Sequence, residues 1–395
     1  MRSLSQLRLL LSQPEVTSLQ LFSLSETKVH PKDAEDLLHS LGNPPALQVL
    51  PPVFHPIHAR KHPLLLLSVL ARRLWHGTPY VLGKWYAGSV ERALAAALSP
   101  CPQIIYVDHV GMAVYLPLVK QHCPKARVVL GCHNIESEFF VQFAQTLRGP
   151  LRFIAQQEAK AAARHEAEVL AQVDQAITIS KRDAQELRTL LRQHTGRFVQ
   201  PICVPQVVEP SPVSAARGPA CRVVYVGNLT WQPNVEGLSW FCQTVWPLVR
   251  ARLPLATFRI AGSGLSSHDR VPDAWTGPGI ELVGYVDDLA AFAKQADVWV
   301  APVSGGSGVR IKLLDSLRLG VPTVTTQDGA KGLSVRSGRE LFVEDHPDAF
   351  ARAIVRLWEE PDLAQRLREA GLSYLCTHHS PKTAHQALRL ALSLP

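Results

Sequence analysis

The chain has 395 residues, 46% hydrophobic and 19% charged; it is too long for one core, suits two domains of ordinary size, and excludes extensive disorder. The net charge of +8 is spread over separate helices rather than gathered in a basic stripe interleaved with aromatics, which excludes nucleic acid as the partner. The longest apolar run, Leu64 to Ala71, is far shorter than a membrane span, and seven scattered cysteines without a CxxC pair argue against a disulfide framework or a structural zinc site.

In chain order, the N-terminus reads as a helix, SLSQLRLLLSQ, with no signal-peptide pattern, so the cytoplasm is the expected compartment. A first strand follows in VTSLQLFSL. The segment His58 to Trp75 then combines Arg60, Lys61, Arg72 and Arg73 with leucines and a tryptophan. It suits either a helix lying on an anionic bilayer or, more commonly for such patterns, a core-facing helix with basic ends. QIIYVDHV, ARVVLGCHN and QAITIS read as further strands, with a helix over 151–172 between the last two. His133 and Asn134 come directly after the second of these strands, at the edge where open α/β sheets bind ligands. Taken alone, both read as helix-capping residues, and Glu136 is the first-turn acid that a helix dipole favours.

Proline-rich VPQVVEPSPVSAARGP interrupts the periodic pattern and marks a linker. The expected organisation is a first domain over 1–205, a linker over 206–219, a second domain over 220–375, and a segment over 376–395 that crosses back onto the first. The second half is the more regular. CRVVYVG, ATFRIAG, IELVGYV, DVWVAPV and PTVTT alternate with helical patterns, which implies a parallel sheet covered on both faces and hence a doubly wound α/β domain.

Chemistry concentrates after DVWVAPV, where Gly305, Gly306, Ser307 and Gly308 open a helix carrying Arg310, Lys312 and Asp315. Glycines let backbone approach a ligand, and amides at a helix start with two nearby cations make an anion site. A helix N-terminus repels cations, so a merely solvated helix face leaves Arg310 and Lys312 unexplained. Asp315 suits paired ribose hydroxyls, or else simply pairs with Arg318 three residues on. Gly227 and Asn228, with Thr230 and Asn234, offer polar contacts to phosphate or sugar. Gly284 and Tyr285 mark a place for a base to stack, although a core position is the commoner outcome for such a tyrosine. No cluster has metal-ligand spacing, so neither metal nor other cofactor is expected beyond a nucleotide-diphosphate sugar as donor substrate.

HNIES, EAEVLAQVD before AITIS, YVGNLTWQPNVEGLSWF, AGSG, GYVDDL, PVSGGSGVRIKLLDSLRLGVPTVTT and DGAKGL together resemble glycosyltransferase family four, of the GT-B fold. The resemblance is closest to bacterial sugar transferases of exopolysaccharide or exosortase-type systems. It implies two Rossmann-like doubly wound domains facing across a cleft, a nucleotide-sugar donor held by the second, and transfer to a glycan or lipid-linked acceptor with retention of configuration. It also implies peripheral contact with the inner membrane face.

By the same resemblance, Asp315 holds the donor ribose, His133 contacts the transferring sugar, and the 305–308 loop touches sugar and diphosphate. Arg310 and Lys312 replace a metal at the departing charge. From their place after the strand alone, Asn134 and Glu136 are expected to hold an acceptor hydroxyl. The chain departs from the family in three ways. Ser307 stands where the motif's first acid belongs, and Asn228 and Asn234 replace its arginine and lysine. The first domain lacks the opening strand. A non-catalytic nucleotide-sugar-binding or scaffold protein is the alternative reading.

Overall fold

The computed structural model describes residues 2–26, 31–56, 63–196, 199–213, 217–265, 271–306 and 308–394. The chain divides into two units, one of Met1–Gln206 with Ala384–Pro395, the other of Val207–Thr383. The end of the chain thus returns to the first unit, where Arg389 pairs with Glu15 and Ser12 bonds to His385.

In the first unit the strands are β1 (Leu19–Leu21), β2 (Leu24–Ser25), β3 (Leu47–Val49), β4 (Val53–Phe54), β5 (Ile104–Asp108), β6 (Arg127–Gly131), β7 (Gln175–Thr178) and β8 (Ile202–Cys203). They form a four-stranded parallel sheet, β5-β6-β7-β8, and two separate parallel pairs, β1-β3 and β2-β4. The first described element is a helix, Arg2–Leu11, and among the described residues no strand joins either pair to β5. Val107, Val128, Leu130, Ala162, Leu170 and Leu187 pack the core that joins this sheet to its helices.

The second unit has β9 (Arg222–Val226), β10 (Thr257–Ala261), β11 (Ile280–Gly284), β12 (Val298–Ala301), β13 (Thr323–Thr325) and β14 (Phe342–Val343). They make one parallel sheet in the order β11-β10-β9-β12-β13-β14. Its central strands are Val-rich and buried on both faces, as a sheet sandwiched between helix layers requires. Phe241, Trp246, Phe258 and Phe350 fill one layer, with Phe241 and Phe258 ring centroids 4.7 Å apart; Trp299 and Phe292 fill the other. Chain order reverses between β9 and β12, so the loops after these two strands flank the crevice where such sheets bind ligands.

The cysteines correct one expectation: Cys101 and Cys123 are joined, with Cα atoms 5.6 Å apart. Of the segment His58 to Trp75, residues 58–62 lie outside the described residues, and Pro63–His76 is a helix. Its arginines turn inward. The Arg72 guanidinium stacks 3.3 Å over the Tyr86 ring, and Arg73 pairs with Glu158 at 3.2 Å.

Candidate active site

In the second unit the loop after β12 brings Arg310 and Lys312 together with the loop after β9. Gly305, Gly306 and Gly308 have φ of 77°, 89° and 79°, which only glycine adopts without strain. The sharp turn they permit folds Arg310 back, its Nη2 donating to the Gly305 carbonyl at 2.8 Å. A side chain at Gly306 would place its Cβ 2.8 Å from Arg310 Nη2 and 3.0 Å from the Trp231 ring. Arg310 is buried, its guanidinium 5.3 Å from the Trp231 ring centroid. Ser307 lies outside the described residues.

Lys312, in the first turn of the helix Ile311–Arg318, points under β9. Its Nζ donates to Asn234 Oδ1 at 2.7 Å and to the Tyr225 hydroxyl at 2.9 Å. Both partners are neutral. Burial, and then the positive charge of Arg310, push the Lys312 ammonium down to about 7. Gly227 is required here, because a Cβ would stand 2.7 Å from the Tyr225 hydroxyl and 2.9 Å from Lys312 Nζ.

Asn228 serves the loop itself. Its Oδ1 accepts from the amides of Thr230 and Trp231 at 2.8 and 3.1 Å, and its carbonyl accepts from Asn234 Nδ2 at 2.8 Å. The two asparagines expected to touch phosphate thus shape the loop and seat Lys312. The Gly305 amide donates to Asp328 Oδ2 at 2.7 Å. Burial raises the pKa of that carboxylate, but Lys331 and the Gly305 amide outweigh it and hold the group below its ordinary value. Asp315 sits one turn beyond Lys312, its Oδ1 accepting from Arg318 Nε at 2.9 Å. Gly284, at φ 81°, opens on empty space, and Tyr285 beside it is 71% exposed, which removes the core reading for that ring.

In the first unit, the ends of β5 and β6 present two imidazole–carboxylate pairs. His133 Nε2 lies 2.6 Å from Asp108 Oδ1, and His109 Nε2 lies 3.4 Å from Glu136 Oε1, with the two rings 5.4 Å apart. His109 Nδ1 accepts from the Gly111 amide at 2.9 Å, so the proton of its neutral ring is on Nε2, facing Glu136. Its φ of 105° is left-handed for a non-glycine residue, a strain of the kind that gathers at functional sites. The Trp85 ring packs 4.9 Å from His109. Burial raises Glu136 above the usual carboxylate range and lowers the neighbouring Lys84 ammonium.

Glu166, from the long helix Gly149–Leu170, is buried and accepts from the amides of Glu136 and Ser137 at 2.7 and 3.0 Å. It thereby caps the helix Glu136–Thr146 and fixes the segment after His133. Asn134 is exposed in that segment. Among the described residues, no group of three or more His, Cys, Asp or Glu could hold a metal ion. Sequence reasoning missed Asp108, His109, Lys84 and Glu166. The doublet Asp108–His109 at the end of a strand was the available signal.

Residues 220–360 match the family model described as glycosyl transferases group 1. The chain is 30% identical over 141 residues to an uncharacterised 44.6 kDa protein of the cps region of Klebsiella pneumoniae, an alignment covering 34% of this chain and 36% of that protein. Among solved structures it resembles HepE of Anabaena in complex with UDP (TM-score 0.65, 12% identity, 99% of this chain and 96% of that one). It also resembles sucrose-phosphate synthase of Thermosynechococcus elongatus (TM-score 0.65, 16% identity, 98% and 92%). TarM matches over 77% of this chain and 58% of its own length, with TM-score 0.60 and 12% identity. The chain therefore has the GT-B fold, two α/β units with parallel sheets, and its residues 220–360 are similar to glycosyl transferases group 1.

Proposed function

We propose that the protein is a metal-independent retaining glycosyltransferase that moves a sugar from a nucleotide-diphosphate donor to a glycan or lipid-linked acceptor in polysaccharide synthesis. The acceptor would be met at the inner membrane face. One observation carries the reading: Lys312 is a half-buried ammonium, beside the buried Arg310, whose contacts are neutral and whose strongest charged influence is that second cation. A charge held this way has no reason to be buried unless an anion completes it. The crevice at the β9/β12 reversal and the glycine-shaped approach of the 305–308 loop fit a diphosphate there. UDP bound to HepE, a protein of the same fold, agrees with this.

In this reading Arg310 and Lys312 stabilise the negative charge of the departing diphosphate, which itself takes the acceptor's proton. Asp315 accepts from the ribose hydroxyls, and Tyr285 offers an exposed ring to the base. His133, turned by Asp108 through Nε2, meets a sugar hydroxyl through Nδ1. Asn134 and Glu136 stand ready for the acceptor.

Thermal-shift titration with UDP-, GDP-, ADP- and TDP-sugars tests this, since a ligand at 100 times its Kd adds about 2.7 kcal/mol of stability. Stabilisation by one of the four that is cut to about half or less in Lys312→Met is expected. Silence from all four would sink the proposal. Retention is read separately, from the anomeric configuration of the product by NMR.

A further inference from the structure

The first unit holds a surface that the sugar-transfer reading does not use. At the start of the helix Gly149–Leu170, Leu151, Phe153 and Ile154 are 60%, 62% and 62% exposed, with Val141 of the preceding helix exposed beside them. Three large apolar side chains exposed within four residues at a helix start form a patch of the kind that marks an interaction surface. The helix Pro63–His76 exposes a second apolar set, Leu67, Leu70 and Trp75.

The two sets meet. Arg73 pairs with Glu158 at 3.2 Å, Ile154 lies one turn before Glu158 and Leu151 two turns before, and Leu70 lies one turn before Arg73. Around the hairpin tip most exposed charges are positive. Arg148, Arg152, Lys160 and Arg164 are all exposed, and none makes an ion pair among the described residues. Of the nearby acids, Glu158 pairs with Arg73, Glu138 with Arg182 at 2.6 Å, Glu166 with backbone amides and Glu168 with His165, while Glu186 is exposed on the far wall of the groove beside Arg182. Behind the tip, a groove of about 760 Å³ runs between the three helices Glu136–Thr146, Gly149–Leu170 and Lys181–Thr195. Ile135, Val141, Ala144, Ala159 and Leu190 form its floor, and Arg152 and Lys160 stand on its rim.

We infer that this joint surface, led by Leu151, Phe153 and Ile154, seats the protein on an anionic phospholipid bilayer. The apolar side chains enter the headgroup boundary while Arg148, Arg152, Lys160 and Arg164 meet lipid phosphates. This deepens the proposed work at a membrane, and moves the main contact away from the basic helix, whose described arginines are already engaged by Tyr86 and Glu158. A neutral glycan would use neither the apolar tip nor the cationic ring. A protein partner or a second copy would bury the apolar residues without needing four unpaired cations.

Co-sedimentation with phosphatidylcholine vesicles containing about one third phosphatidylglycerol, against phosphatidylcholine alone, tests it. The full chain is expected to bind the anionic vesicles selectively and to be released by salt. The double substitution Phe153→Glu/Ile154→Glu should lower partitioning about tenfold or more, with circular dichroism unchanged. Charge reversal at the exposed pair, Arg148→Glu/Arg152→Glu, should do the same without touching the apolar residues. Wild-type protein that ignores anionic vesicles overturns the inference, as does binding that survives both double substitutions. A concentration-dependent dimer abolished by Phe153→Glu/Ile154→Glu, seen by sedimentation velocity without vesicles, replaces the bilayer with a second copy. Thermal shift with UDP-glucose on the same variants reports donor binding independently, so loss of one reading is not mistaken for loss of the other.

Discussion

The two units solve the same problem with unequal regularity. The second carries one six-stranded parallel sheet whose central strands are buried on both faces, while the first divides its strands into a sheet of four and two isolated pairs. A continuous sheet fixes where its loops emerge, so the cation site of the second unit sits at the chain reversal that topology alone would choose. In the first unit the chemistry is fixed instead by side chains reaching across. Asp108 holds His133, and Glu166 caps the helix that follows it. Rigid topology makes a site predictable, whereas a site assembled by cross-reaching side chains must be seen.

The strongest way to break the comparison is through glycines. A methyl at Gly262 would stand 1.7 Å from the Gly227 carbonyl oxygen, which is backbone and cannot step aside; at Gly131 the obstacle, 2.4 Å away, is the swinging hydroxyl of Tyr106. Gly262→Ala should therefore cost the second unit roughly 3 kcal/mol or more in chemical denaturation. Gly131→Ala should cost the first unit clearly less. Equal losses would show the two frameworks to be equally yielding.

Next in size is the half-buried lysine. Lys312→Met should leave ligand-free stability unchanged or higher while weakening nucleotide-sugar affinity by roughly tenfold to a hundredfold, the worth of a hydrogen bond to a charged group. Calorimetric titration reads both effects, and retained affinity would remove Lys312 from the donor site.

Acidity separates the units further. Lys312 is lowered in the folded protein from 10.5 to about 7, so its stabilising contribution is complete above 10.5 and is lost as pH falls towards 7. Burial raises Glu166 from 4.5 to about 7 against the pull of its hydrogen bonds, so its contribution is complete below 4.5 and is lost as pH rises towards 7. Melting curves should show Glu166→Gln flattening the acid-side slope and Lys312→Met the alkaline one. A slope that neither substitution changes would deny both assignments.

The smallest effect sharpens the reading of Asp315. Its pairing with Arg318 is half-exposed and local, so Asp315→Asn should change stability by no more than about 0.5 kcal/mol. Any larger loss of donor binding by the same variant then belongs to the ligand and not to the fold.

The strands of the second unit were plain in the sequence because runs such as RVVYV and VWVA are apolar throughout, and Arg310 and Lys312 declared themselves against a helix dipole that should repel them. Tyr225 was not legible, since nothing in a buried strand tyrosine announces that its hydroxyl will reach a lysine 87 residues away. Asn228 and Asn234 were legible as polar loop residues but not in their roles, which depend on how the loop closes. Asp108 and Glu166 escaped for the same reason as Tyr225: their partners lie 25 and 30 residues distant in sequence.

The neutral company of Lys312 has a consequence for measurement. With no ligand present, the amine is largely unprotonated in mildly alkaline solution; a pyrophosphate arriving beside it would restore the missing hydrogen ion. Ligand capture would therefore draw protons from the medium, and the apparent heat of association would change with the ionisation enthalpy of whichever buffer supplies them.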